Sequence, residues 1–173
     1  MKILFAIQGT GNGHLSRARD IYPELCKYGD VDILISGTQA DVSLPFPVKY
    51  KLHGMSFVFG KRGGISMLKT AKQLNLFKLI SDIRTLPVKS YDLVVNDFEP
   101  VSAWACKINK VPCVSLSHQC AVLHKDAPIP TRHDWVGETV LKKYAPCTAS
   151  YGFHFKAFAT NIFTPVIRKE IRD

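Results

Sequence analysis

The chain has 173 residues, 46% of them hydrophobic and 21% charged, with a formal net charge of +9. That length supports one sizeable core, since single domains most often run to roughly 100–150 residues, and apolar residues spread throughout, with no low-complexity tract or repeat, argue against intrinsic disorder. The positive charge favours anionic partners such as phosphates or acidic headgroups, but the lysines are scattered rather than interleaved with exposed aromatics, so no nucleic-acid module is expected.

The chain opens with Met1-Lys2 and then five consecutive apolar residues, Ile3 to Ile7. A signal-peptide core needs roughly 7–15 such residues and a membrane span roughly 20, so the run reads as a buried strand over 2–7, neither exported nor spanning. Five cysteines (Cys26, Cys106, Cys113, Cys120 and Cys147) form an odd set with no C-x-x-C pair. They suit buried thiols in a reducing compartment, which makes the expected location cytoplasmic.

Gly9-Thr10-Gly11-Asn12-Gly13 follows the first strand at once, as a turn between strand and helix would. From His14 to Tyr28, Leu15, Ala18, Ile21, Tyr22, Leu25 and Tyr28 recur at helical spacing, Pro23 argues against a straight helix, and Gly29 stands where a helix ends. Residues 31–35 and 47–52 read as the second and third strands. Gly54 opens a glycine-rich stretch carrying Lys61 and Arg62, a basic loop leading into a long helix marked by Ile65, Leu68, Ala71, Leu74, Phe77 and Ile80, ending before Pro87. A fourth strand (93–95), a helix (101–108), a fifth strand (113–116), a helix capped by Asp134 that aligns Trp135, Val136, Val140, Leu141 and Tyr144, and a sixth strand (149–155) complete the alternation. The fold expected is α/β, a Rossmann-like doubly wound, mainly parallel sheet in a single domain over 1–173.

In such sheets the loops at the carboxyl ends of the strands form the binding crevice, above all where the strand order reverses. Three polar clusters fall at strand ends: Gly9 to His14, then Asn96-Asp97-Phe98-Glu99, then Ser117-His118-Gln119. The glycine turn lets backbone pack under a ligand, and the helix start presents free N–H groups to an oxygen-rich partner. If strand four neighbours strand one, Asp97 approaches His14. A histidine can take a proton from a hydroxyl while a neighbouring carboxylate fixes its tautomer and stabilises the imidazolium that forms. The plainer alternative makes His14 a packing residue and Asp97 a turn residue.

Position 14 is His where a dinucleotide fingerprint wants a glycine or alanine, and strand two ends in Ile35-Ser36-Gly37 without an acid, which disfavours a nicotinamide or flavin. Gly60-Lys61 is followed by Arg62, so no Walker motif exists. His118, Cys120 and His124 lack a second ligand pair at structural-zinc spacing, so no metal site is expected.

The segments 9–18 (GTGNGHLSRA) and 91–100 (YDLVVNDFEP) together resemble MurG-like and glucuronosyltransferase-like GT-B glycosyltransferases, as do the run 111–119 (VPCVSLSHQ) and the stretch 164–168 (TPVIR). The resemblance implies the N-terminal, acceptor-binding half of an inverting, metal-independent enzyme, whose nucleotide-sugar donor, a UDP-sugar, is held by a C-terminal half of similar size or by a partner subunit. By that similarity His14 is the general base and Asp97 its orienting carboxylate, with Glu99 as the substitute. Gly9, Thr10, Gly11, Asn12 and Gly13 form the cleft floor, and Arg17, His118 and Gln119 join Glu99 in binding substrate. The basic loop with Lys61 and Arg62 would suit peripheral contact with an anionic membrane. Three other readings stay open: a subunit of a split transferase, a non-catalytic domain binding a sugar or phosphate, and half of a sugar-nucleotide epimerase.

Overall fold

The computed structural model describes residues 1–37, 39–55, 75–128 and 135–167. Lys61, Arg62, the expected helical stretch before residue 75, the Asp134 cap and Arg168 lie outside the described residues.

The described strands are β1 (Lys2–Gln8), β2 (Asp30–Ser36), β3 (Tyr50–Leu52), β4 (Leu93–Asp97), β5 (Cys113–Ser117), β6 (Ala149–Phe153) and β7 (Ile162–Phe163). The helices are α1 (Asn12–Cys26), α2 (Leu76–Thr85), α3 (Pro100–Asn109), α4 (His118–Val122) and α5 (Trp135–Tyr144), with a 3₁₀ turn at Val88–Ser90. The strands form one sheet in the order β3-β2-β1-β4-β5-β6-β7, parallel at every junction. This is the Rossmann-like doubly wound arrangement, and the order reverses between β1 and β4.

Because both faces of a parallel sheet are covered, its central strands read as unbroken apolar runs rather than alternating ones. In β1, Leu4 and Ala6 pack with Leu34, Val94, Val101, Ala105 and the α2 residue Leu79 on one face. Ile3, Phe5 and Ile7 pack with Leu15, Ala18 and Ile21 of α1 on the other. The apolar stripe of α1 thus finds its partner in one face of the sheet. Pro23 falls in the last turn of a helix that continues through it to Cys26.

Several boundaries differ from the sequence reading. The first helix stops at Cys26 with Lys27 still right-handed, so Gly29 is not its left-handed cap. A Cβ at Gly29 would run into the Met1 carbonyl, because the entry to β2 passes hard against the start of β1. β6 ends at Phe153, and the short β7, too brief to leave a periodic signal, extends the sheet beyond it. The His118-Gln119 cluster, expected as a loop, already forms the first turn of α4. Lys110 ends α3 in the left-handed conformation, at φ 56°, a place more often given to glycine. No described helix is long and apolar enough to cross a membrane.

Candidate active site

Register alone brings the first two clusters together. β1 and β4 run parallel with Ile7 opposite Asp97, so the fourth strand delivers its carboxylate beside the turn that follows the first. Gly9 makes that turn tight: its N–H donates to the Ser36 carbonyl at 2.6 Å, and its own carbonyl accepts from the N–H groups of Gln39 and Ala40. A Cβ there would stand 2.8 Å from Ile35 Cγ2 and 3.0 Å from the Gly37 oxygen, so only glycine fits without movement. Gly11 is the N-cap of α1 with no side-chain cap, and the space where Cβ atoms would stand at Gly11 and Gly13 is open. The helix start therefore presents backbone rather than side chains to its surroundings, the arrangement that suits an oxygen-rich group.

His14 and Arg17, one turn apart on α1, both face Asp97. His14 Nδ1 lies 2.9 Å from Asp97 Oδ1, and Arg17 Nη2 donates to both carboxylate oxygens at 2.7 Å. Arg17 Nη2 is also 3.2 Å from His14 Nδ1. Asp97 is fully buried, while the side chains of His14 and Arg17 each keep 16% of their surface. The carboxylate is thus the hidden hub, and the two basic groups are what the solvent side sees. His14 Nδ1 thus sits between an acceptor, Asp97, and a donor, Arg17: an Nδ1–H turned to Asp97 leaves Nε2 as the acceptor nitrogen, whereas an Nδ1 accepting from Arg17 puts the proton on Nε2.

Arg17, expected to bind substrate, gives one nitrogen, Nη2, to both Asp97 oxygens, and its guanidinium lies 5.5 Å from the centre of the Phe153 ring. Two of the floor residues are likewise turned to structural work. Thr10 Oγ1 accepts from Gln8 Nε2, and Asn12 Oδ1 accepts from the N–H groups of Asp41 and Val42, tying the segment after β2 to the helix start.

Glu99 does not reach the cleft. It is completely buried, and its carboxylate accepts from Ser36 Oγ at 2.6 Å and from the Val101 and Ser102 N–H groups at 2.7 and 2.6 Å, capping α3. Burial pushes its carboxyl above the ordinary value against the pull of those bonds. Its carboxylate is turned to Ser36 and the start of α3 rather than to His14.

His118 is exposed, and its Nδ1–H donates to the Phe153 carbonyl at 2.7 Å. Phe153 therefore stands between the clusters, its ring against Arg17 and its carbonyl on His118. Gln119 lines a separate cavity of about 420 Å³ with Phe98, Cys120, His124 and Cys147. The three residues weighed as metal ligands turn to different partners: His118 to Phe153, Cys120 to Ser115 and Ser117, and His124 to Asp126.

Sequence reasoning missed three contributors. Gln8 ends β1 in full burial, its Nε2 2.8 Å from the Tyr144 hydroxyl and 3.2 Å from the Met55 carbonyl. Tyr144 donates to that same carbonyl at 2.6 Å and stacks on Phe98 at 4.6 Å. Phe98 itself has φ 57°, which few non-glycine residues adopt. In the sequence Phe98 and Tyr144 stand only as a strand-end neighbour of Asp97 and a helix-face residue, while Gln8 is a polar residue closing a wholly apolar run.

Among solved structures, the chain is similar to Acinetobacter baumannii MurG, at 15% identity, 94% of this chain, 44% of that one and a TM-score of 0.47. It is also similar to the Streptomyces sp. SF2575 glycosyltransferase SsfS6, at 11% identity, 93% and 56% coverage and a TM-score of 0.44. It thus spans about half the length of each of those chains. No curated protein matches it significantly. The family model for glycosyl transferase family 1 matches residues 1–173, the whole chain, and the chain belongs to that family.

Proposed function

We propose that this chain is the acceptor-binding half of an inverting glycosyltransferase in which His14 is the general base. The observation that carries the reading is His14 Nδ1 at 2.9 Å from the buried Asp97 carboxylate, at the sheet's switch point and beside an uncapped helix start. With Nδ1–H turned to Asp97, Nε2 takes the proton from an acceptor hydroxyl as its oxygen attacks the anomeric carbon. The bond from that carbon to the nucleoside diphosphate breaks on the opposite side, which inverts the centre. The imidazolium then gives its proton to solvent.

In this reading the donor is a nucleotide sugar, a UDP-sugar by the resemblance, held by a second domain of similar size whose helix terminus faces the departing diphosphate. The open start of α1 then meets the donor's oxygens from this side. Lys61 and Arg62 belong to the same proposal, as a basic contact for an anionic membrane surface carrying the acceptor, and the reaction takes place in the cytoplasm.

The test is His14→Ala in the complete polypeptide, donor domain included, against a panel of nucleotide sugars. Loss of a general base lowers kcat on the order of 10²–10⁴-fold while leaving donor affinity near wild type. Transfer that survives the substitution within about threefold would remove His14 from the mechanism.

A further inference from the structure

A second reactive cluster lies away from His14, where β5 and β6 begin. Cys113 Sγ and Cys147 Sγ are 3.5 Å apart. We propose that Cys113 and Cys147 are a modification site, a dithiol that closes to an intramolecular disulfide by exchange with a small disulfide such as oxidised glutathione.

The two backbone segments are held together without help from sulfur. Thr148 N–H donates to the Cys113 carbonyl at 2.8 Å, and Cys113 N–H donates to Thr148 Oγ1 at 3.1 Å. A disulfide needs its sulfurs about 2.05 Å apart, so closure asks for roughly 1.5 Å of approach, within the range of side-chain rotation.

The pair is asymmetric, and this sets the order of events. Cys113 is 1% exposed, whereas Cys147 lines the cavity of about 420 Å³ beside Gln119 and Cys120. A small disulfide entering that cavity meets Cys147 first. Its hydrogen bond with Cys113 also holds the Cys147 thiol below the ordinary thiol value, burial opposing. A bond to Cys106, then this same bond to Cys147 and burial, push the Cys113 thiol up.

The Cys147 thiolate attacks the disulfide, forming a mixed disulfide and expelling one thiolate, which takes up a proton. Cys113 then gives up its proton and attacks Cys147 Sγ, expelling the second thiol. Two protein thiols are oxidised to one disulfide, and the small disulfide is reduced to two thiols. The cross-link ties the first residue of β5 to the segment before β6, on the wall of the cavity that Phe98 also lines.

The experiment incubates the reduced full chain with oxidised glutathione, quenches with an alkylating agent, and follows intact mass and peptide maps. The wild type should lose two hydrogens at a Cys113–Cys147 cross-link that dithiothreitol reverses. The Cys147 adduct should accumulate on the order of tenfold more in Cys113→Ser, which lacks the resolving thiol, and Cys147→Ser should leave Cys113 unmodified. Cys26, exposed on α1, takes glutathione in every variant and reports that the reagent is active. A lasting adduct on Cys147 in the wild type, a cross-link to Cys106 instead, or an inert Cys147 beside a modified Cys26 would each overturn the proposal. Should a serine variant fail to fold, the wild-type time course decides, since the adduct on Cys147 must rise and then decay into the cross-link.

Discussion

Asp97→Asn keeps the shape of the hub and removes its charge. Asp97 Oδ1 stands 2.9 Å and Arg17 Nη2 3.2 Å from His14 Nδ1, an anion and a cation at nearly the same range. In the proposed reaction the carboxylate therefore serves His14 by orientation. An Asn amide has one acceptor, and Arg17 claims it. The amide N–H groups then face His14 Nδ1, which becomes an acceptor and places the ring proton on Nε2, where the proposed reaction needs a lone pair. The expected fall in kcat is on the order of 10²–10⁴. Stability falls too, because Arg17 loses its counter-ion at 16% exposure. Breaking a buried pair costs roughly 3–5 kcal/mol, and the remaining exposure favours the low end, about 3 kcal/mol or roughly 6–12 °C in Tm for a chain of this size. Thermal unfolding of the chain and initial rates of nucleotide-sugar turnover in the complete polypeptide measure the two effects. Adding Arg17→Met to Asp97→Asn should return part of the stability and none of the rate. A single variant that melts within about 2 °C of wild type and turns over within about threefold would refute the pairing as described.

Glu99→Ala removes the α3 cap and leaves the Ser36 hydroxyl and two N–H groups without their acceptor, so urea unfolding should show a loss of about 2–4 kcal/mol. Asp32 sits on β2 between Lys49 Nζ at 2.6 Å and the Tyr91 hydroxyl at 2.7 Å. Burial raises its carboxyl, but those bonds outweigh it and hold the group below the ordinary 3.8. A depressed carboxyl contributes stability that is complete above the unfolded value and lost as pH falls through the folded one. Unfolding free energy should therefore drop below about pH 4 by up to about 1 kcal/mol more in wild type than in Asp32→Asn, since Lys49 is largely exposed. Parallel slopes for the two proteins in urea titrations across that range would assign the acid sensitivity elsewhere.

Much of the fold was legible because burial on two faces leaves so plain a pattern. The run Ile3 to Ile7, the α1 stripe and the residues of β4 and β5 name their elements by themselves. The site was legible as three clusters at strand ends, but their assembly depended on strand order. Arg17 and Asp97 are 80 residues apart, and Gln8 and Tyr144 are 136 apart. Nothing local says that such pairs meet; only the placement of β4 beside β1 brings the first pair together, and only the return of α5 over the β1 end brings the second. Arg17 shows a related ambiguity. Its place one turn beyond His14 fits a ligand contact and a carboxylate clamp equally well, and the choice rests on where Asp97 falls.

The separation of Asp97 from Glu99 shows how one backbone angle decides the chemistry. In an extended strand, residues two apart point to the same face, so both acids read as partners for His14. Phe98 breaks that parity with φ 57°, at a cost on the order of 1 kcal/mol, and its stack on Tyr144 at 4.6 Å holds it there. Asp97 consequently ends β4 facing α1, while Glu99 turns across the end of β1 to Ser36 and the start of α3. One carboxylate is left to meet the basic pair on α1, and the other pins the helix behind it. The fold therefore separates the carboxylate that faces His14 and Arg17 from the one that anchors α3 within three consecutive residues, and it does so at the point where the sheet's order reverses.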